Sequence, residues 1–252
     1  IMSNGSLYTH IQYNIATVEF YHQSSNSFPS ELLERLSTTF NELNINNEVQ
    51  VIVLKSEKDK AFCAGASFDE LIEINNIEAG KKFFLGFANV INAMRNCSKI
   101  IIGRVQGKAV GGGVGLAAAC DYCLATEAAS IKLSELSIGI GPFVIEPVVT
   151  RKIGIAAFSE LSLDAANWQT AYWAKEKGLY AHVFESMKEL DIEVENFALK
   201  LSKYNPTALK EMKRVLWEGT ENWDELLERR AEISGKLVLS DFTKNALQKF
   251  KN

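Results

Sequence analysis

Two loops of small residues offer this chain its clearest chemistry. Lys60-Ala-Phe-Cys-Ala-Gly-Ala66-Ser-Phe-Asp-Glu70 and Gly111-Gly-Gly-Val-Gly115 each place glycine and alanine where a strand-like apolar run gives way to a helix-like one. Small residues at such junctions expose backbone N–H groups to a ligand instead of burying them under side chains. Two loops of this kind can hold one developing negative charge between them, as an oxyanion hole does. A third feature is Glu135, in Ser134-Glu135-Leu136 before the run Ile138-Gly-Ile-Gly-Pro142. A carboxylate among apolar groups has its charged form disfavoured and becomes a better proton carrier near neutral pH. Taken singly, the glycines fit close helix-on-strand packing equally well, and Glu135 fits an exposed loop acid.

The elements that must position these residues follow from hydrophobic periodicity. Strands are expected over 15–20, 49–54, 100–105 and 122–125, and helices over 29–43, 68–94 and 113–120. Such alternation implies a mostly parallel sheet covered by helices. Beyond Asp164 the pattern is almost purely helical, over 165–177, 187–204, 206–217, 224–239 and a last segment to 250. Trp217, Leu226, Leu227, Leu237 and Val238 are more apolar surface than a small helical appendage readily covers, which points to a homotrimer or homohexamer. Phe83, Phe84 and Phe87 are candidates for the wall of a binding pocket.

A net charge of −4 argues against nucleic-acid and membrane-surface partners. No apolar run approaches a membrane span and the first residues do not resemble a signal peptide, so a cytoplasmic location is expected. Cys63, Cys97, Cys120 and Cys123 sit among small or apolar neighbours and read as free, buried thiols. His10, His22 and His182 are dispersed, no G-x-S-x-G elbow occurs, and no metal motif is present, so neither a serine hydrolase nor a metal site is expected. Gly113-Val-Gly115-Leu-Ala-Ala118 matches a dinucleotide fingerprint, but it lies mid-chain and leaves the first loop unexplained.

Ala61-Phe-Cys-Ala-Gly-Ala66, Val105-Gln-Gly-Lys-Ala-Val-Gly-Gly-Gly113, Cys120-Asp121, Lys132-Leu-Ser-Glu135-Leu-Ser-Ile-Gly139 and Glu176-Lys-Gly-Leu179 resemble, in order and spacing, the enoyl-CoA hydratase/isomerase family, the crotonases. The resemblance runs from about Tyr8 to about Phe250. It implies an α/β fold: a crotonase-like spiral β/α core with the acyl-CoA site in residues 1–190, and a C-terminal helical oligomerisation region in 191–252. It implies an acyl-CoA thioester substrate and no separate cofactor, coenzyme A being part of the substrate. By carry-over, the N–H groups of Ala66 and Gly112 are the oxyanion donors and Glu135 the proton carrier. Ser24, Ala64, Gly65, Ser67, Phe68 and Gly111 fall in the substrate-binding positions, and Lys249, Phe250 and Lys251 are candidates to meet the coenzyme.

The chain departs from the family's familiar pattern at Gly115, where hydratases of the best-known type carry a second glutamate. Glu146 is a candidate replacement, with Asp69 and Glu70 behind it. The context Leu133-Ser-Glu135-Leu-Ser-Ile-Gly-Ile-Gly-Pro resembles a single-glutamate branch that includes methylglutaconyl-CoA hydratases of leucine breakdown, so hydration is the preferred expectation. Δ3-Δ2-enoyl-CoA isomerisation is the alternative, followed by decarboxylation or non-catalytic acyl-CoA binding.

Overall fold

The computed structural model describes residues 4–57 and 60–249. Its chain opens with a hairpin of β1 (Ser6–Gln12) and β2 (Ile15–Tyr21), turned by Tyr13 and Asn14 at φ of 53° and 61°. Two successive positive-φ residues make the tight turn whose twist suits a hairpin, and asparagine tolerates that region. β1 is mostly exposed and largely polar, which is why alternation does not reveal it in the sequence. There follow α1 (Ser30–Ile45), β3 (Val51–Ser56), α2 (Phe68–Glu73), α3 (Ile77–Asn96), β4 (Ile100–Val105), β5 (Ala109–Val110), α4 (Gly112–Ala119), β6 (Tyr122–Thr126) and β7 (Ile131–Lys132). The helical zone expected over 68–94 is made of two helices, with the second capped by the Asn76 side chain, which accepts from the Ala79 N–H.

The rest of the chain holds α5 (Glu146–Leu163), interrupted at Gly154, then α6 (Ala171–Glu176), β8 (His182–Phe184), α7 (Met187–Leu201), α8 (Pro206–Leu216), α9 (Trp223–Leu237) and α10 (Asp241–Lys249). β8 is the exception to the almost purely helical pattern expected beyond Asp164. It has only three residues, too short for periodicity to register, and pairs with β6 at the sheet edge.

The main sheet runs β1-β2-β3-β4-β6-β8, antiparallel at the hairpin and parallel elsewhere. β3 and β4 are almost continuously buried, as parallel strands covered on both faces must be. Ile52 and Leu54 join the cluster formed with α1 and α3. Val51, Val53 and Ile102 point the other way and meet Leu190, Val194 and Leu201 of α7. The boundary expected between 190 and 191 therefore falls inside a helix that covers the sheet.

α9 lies along α3, where a Cβ on Gly80 would stand 2.6 Å from the Gly235 carbonyl oxygen. Glycine at both positions permits this backbone approach. Trp217, Leu227 and Val238, expected to need a partner chain, are 7%, 0% and 2% exposed and are covered within the chain. Among the described residues no helix is long and apolar enough to cross a membrane.

Candidate active site

The first loop is stitched to the chain on both sides. Phe62 and Cys63 donate their N–H groups to the Lys108 carbonyl, and Val110 donates to that of Cys63 at 3.0 Å. On the other flank Ala64 donates to the Ser25 carbonyl, Phe28 to that of Gly65, and Ser67 to that of Phe28. The Ala66 N–H is left over: among the described residues it has no protein acceptor. Gly65, at φ 91°, makes the turn that exposes it.

The second loop ends β5. Gly111 has φ 54°, its N–H goes to the Lys132 carbonyl, and Gly112 then begins α4. As the first residue of a helix, Gly112 has no carbonyl one turn back to receive its N–H, which sits at the positive end of the helix dipole. The loops touch: a Cβ on Gly65 would lie 3.4 Å from the Gly112 nitrogen, and one on Gly113 only 2.2 Å from the Cys63 carbonyl oxygen.

The strand pair β5–β7 brings Glu135 to this place. In its parallel register Ala109 faces Ile131 and Val110 faces Lys132, so Gly111 and Glu135 emerge beyond the same ends of paired strands. Glu135 opens a 3₁₀ turn through Ile138, and α10 packs over that turn with Phe242 and Thr243 against Gly139. A Cβ on Gly111 would be 2.8 Å from Glu135 Oε1, so glycine makes room for the carboxylate. Oε2 is shielded from solvent and has no hydrogen-bond partner. Burial pushes the Glu135 carboxyl up to about 7, opposed only by a hydrogen bond from its own backbone N–H.

Ala66, Gly112 and Glu135 line one cavity of about 160 Å³. Ala64, Gly65, Phe68 and Gly111 line it too, as do Phe83, Phe84 and Phe87 of α3. The Phe87 ring occupies the space a Cβ on Gly112 would need. Ser67 instead caps α2, its Oγ accepting the Glu70 N–H, and Ser24 is exposed in the turn beside the Ala64 segment. Lys249 is exposed on α10, whereas Phe250 and Lys251 lie outside the described residues.

The candidate second acids have other partners. Glu146 Oε1 accepts from Thr150 Oγ1 at 2.9 Å and Oε2 pairs with Arg230 at 3.1 Å, away from the cavity wall. Glu70 accepts from the backbone and hydroxyl of Ser30 and so caps α1, whose own N-cap residue, Pro29, has no side chain able to do so. Asp69 is exposed. At Gly115 a Cβ would fall 2.4 Å from Ile145 Cγ2, so the place of a second carboxylate is filled by an apolar side chain. Ile145 and Ser234, both on the cavity wall, were not singled out from the sequence: neither carries a local signal, and folding alone brings them there. The four cysteines are buried and free, as expected, and Cys120 and Cys123 fill the space beside Gly103.

An α/β fold that lines a single cavity with two unaccepted backbone N–H groups and one buried carboxyl has the parts needed to stabilise an oxyanion while moving a proton. The profile of the enoyl-CoA hydratase/isomerase family matches residues 10–251, and the chain belongs to that family. It is 29% identical to a short-chain-enoyl-CoA hydratase of Clostridium acetobutylicum over 89% of this chain and 86% of the relative. It is 32% identical to a mitochondrial methylglutaconyl-CoA hydratase of Rattus norvegicus over 78% of this chain and 63% of that one. Its fold matches an enoyl-CoA hydratase structure from Bacillus halodurans with a TM-score of 0.90 at 21% identity, covering 96% of this chain and 99% of the other.

Proposed function

We propose that this enzyme is an enoyl-CoA hydratase in which Glu135 alone handles the proton. The observation that carries the reading is that Ala66 and Gly112, whose N–H groups meet no protein acceptor, and Glu135, with one unpartnered oxygen, line one cavity. With the thioester carbonyl oxygen between the two N–H groups, the Glu135 carboxylate takes a proton from water as its oxygen bonds to C3. The electron pair of the C2=C3 bond shifts to C1–C2 as the carbonyl pair moves onto oxygen, giving an enolate, and the proton then passes from Glu135 to C2. The N–H pair favours the enolate over the ground state because it is already oriented where the charge develops.

Ile145 in the space beside Gly115 supports a second reading, isomerisation, since one carboxylate can carry a proton between C4 and C2 without holding water. Turnover of crotonyl-CoA and a 3-enoyl-CoA in ¹⁸O-labelled water separates the two. Label in a 3-hydroxyacyl product is the expected result; a conjugated, unlabelled product from the 3-enoyl substrate, with crotonyl-CoA untouched, would replace hydration by isomerisation. The described cavity wall contains no Lys or Arg, which weighs towards a neutral acyl chain and against the distal carboxylate of a 3-methylglutaconyl group. Exposed Ile155, Leu163 and Tyr172 support assembly into a trimer or hexamer, for which light scattering is the test.

A further inference from the structure

Two serines of the cavity wall, Ser134 and Ser234, have no part in that chemistry, and Ser234 is the enclosed one. Ser234 of α9 is 1% exposed, and its Oγ is shut off from solvent with no hydrogen-bond partner. A serine inside a helix commonly turns its hydroxyl back to the carbonyl one turn earlier, but here that bond is not made. The residue instead lines the same cavity as Glu135. α9 holds it there firmly. Gly235 meets Gly80 backbone to backbone, Lys81 bonds both Glu228 and Glu232, and Arg230, one turn before Ser234, is paired with Glu146.

A buried hydroxyl left unpaired is costly, and such groups call for a ligand or water to complete them. The wall around this one is otherwise mainly aromatic and aliphatic, including Phe83, Phe84, Ile140 and Phe143. In a pocket of that kind a single fixed polar group decides which ligands fit, because a ligand lacking the matching atom leaves it unpaired.

We propose that Ser234 is a specificity-determining residue whose hydroxyl hydrogen-bonds a neutral oxygen, a hydroxyl or carbonyl, carried by the acyl chain beyond the thioester. The inference rests on the acyl-CoA reading above and narrows its substrate class. A carboxylate is disfavoured because it would be buried in a cavity that already holds Glu135, with no basic side chain among the described wall residues and Arg230 engaged by Glu146.

Calorimetric binding of saturated thioesters tests this without requiring turnover. The probes are pentanoyl-CoA, its 4-hydroxy and 5-hydroxy forms, and glutaryl-CoA. One hydroxylated form is expected to bind about tenfold tighter than pentanoyl-CoA. Ser234→Ala should bring that ratio close to one, and Ser234→Thr, which keeps the hydroxyl, should preserve it. A wild-type ratio near one, a ratio unchanged in Ser234→Ala, or tightest binding of glutaryl-CoA would overturn the role of Ser234 while leaving the acyl-CoA reading in place. Failure of all four probes to bind would overturn both.

Discussion

The two ends of α4 handle a buried carboxylate in opposite ways. Beyond its C-terminus, Asp121 has a side chain only 2% exposed, and both of its oxygens are occupied. Oδ2 accepts from the Ile101 N–H at 2.8 Å and the Lys213 ammonium at 2.7 Å, and Oδ1 accepts from Trp217 Nε1 at 2.7 Å. At the N-terminal end, Glu135 lies against Gly111 with Oε2 bonded to nothing. Burial with partners ties α8 to the sheet. Burial with one oxygen left unpartnered leaves the proton exchangeable near neutrality. On the proposed reading, the difference makes one acid a fastener and the other a reagent.

The largest expected effect is at the reagent. Glu135→Gln keeps the shape of the side chain but cannot exchange a proton, so kcat should fall by about 10² to 10⁴ while acyl-CoA affinity stays near the wild-type value. Steady-state kinetics with calorimetric binding checks this, and near-normal kcat would erase the contrast. At the fastener, Asp121→Ala leaves the Lys213 ammonium buried without its counter-charge and should cost about 3 to 5 kcal/mol of stability. Urea denaturation measures that loss. The acid limb of the pH–rate profile should remain where it is in the wild type.

The sign of the stability change at Glu135 sharpens the comparison further. Its carboxyl titrates near 4.5 when unfolded and at about 7 when folded. Between those values the folded state binds more protons, so the contribution of this group to stability falls as pH rises and is at its lowest above pH 7. Glu135→Gln should therefore be more stable than the wild type at pH 8, by up to about 3 kcal/mol, with the gap closing towards pH 4. Denaturation curves at several pH values would contradict this if the variant were less stable at alkaline pH. The smallest effect is expected for Glu146→Gln. Its pair with Arg230 is partly exposed and worth about 1 kcal/mol or less. A hundredfold loss of kcat in that variant would return Glu146 to the chemistry.

Much of this contrast is legible in the sequence, and the rest is hidden for definite reasons. Glycine triplets and an acid set among apolar residues are local signals, so the two loops and Glu135 can be read directly. Phe83, Phe84 and Phe87 can be suspected, but which way each faces depends on how α3 lies between α1 and α9. Glu146 looks like a second buried acid until the fold supplies Arg230 from α9 to neutralise it. Ser234 gives no sign at all, being one serine in a charged helix, and reaches the cavity only because Gly80 and Gly235 let α3 and α9 touch. β5 and β7, which align Gly111 with Glu135, have two residues each and fall below any periodicity.

Direct titration of the Glu135 carboxyl carbon tests most closely the claim that this acid is buried, unpaired and poised to carry a proton. With ¹³C-labelled glutamate and the Glu135→Gln protein to assign the signal, the midpoint is expected at about 7. A midpoint near the unperturbed value of 4.5 would contradict it, because a carboxyl that ionises so readily is solvated or fully partnered and is not the enclosed acid described above.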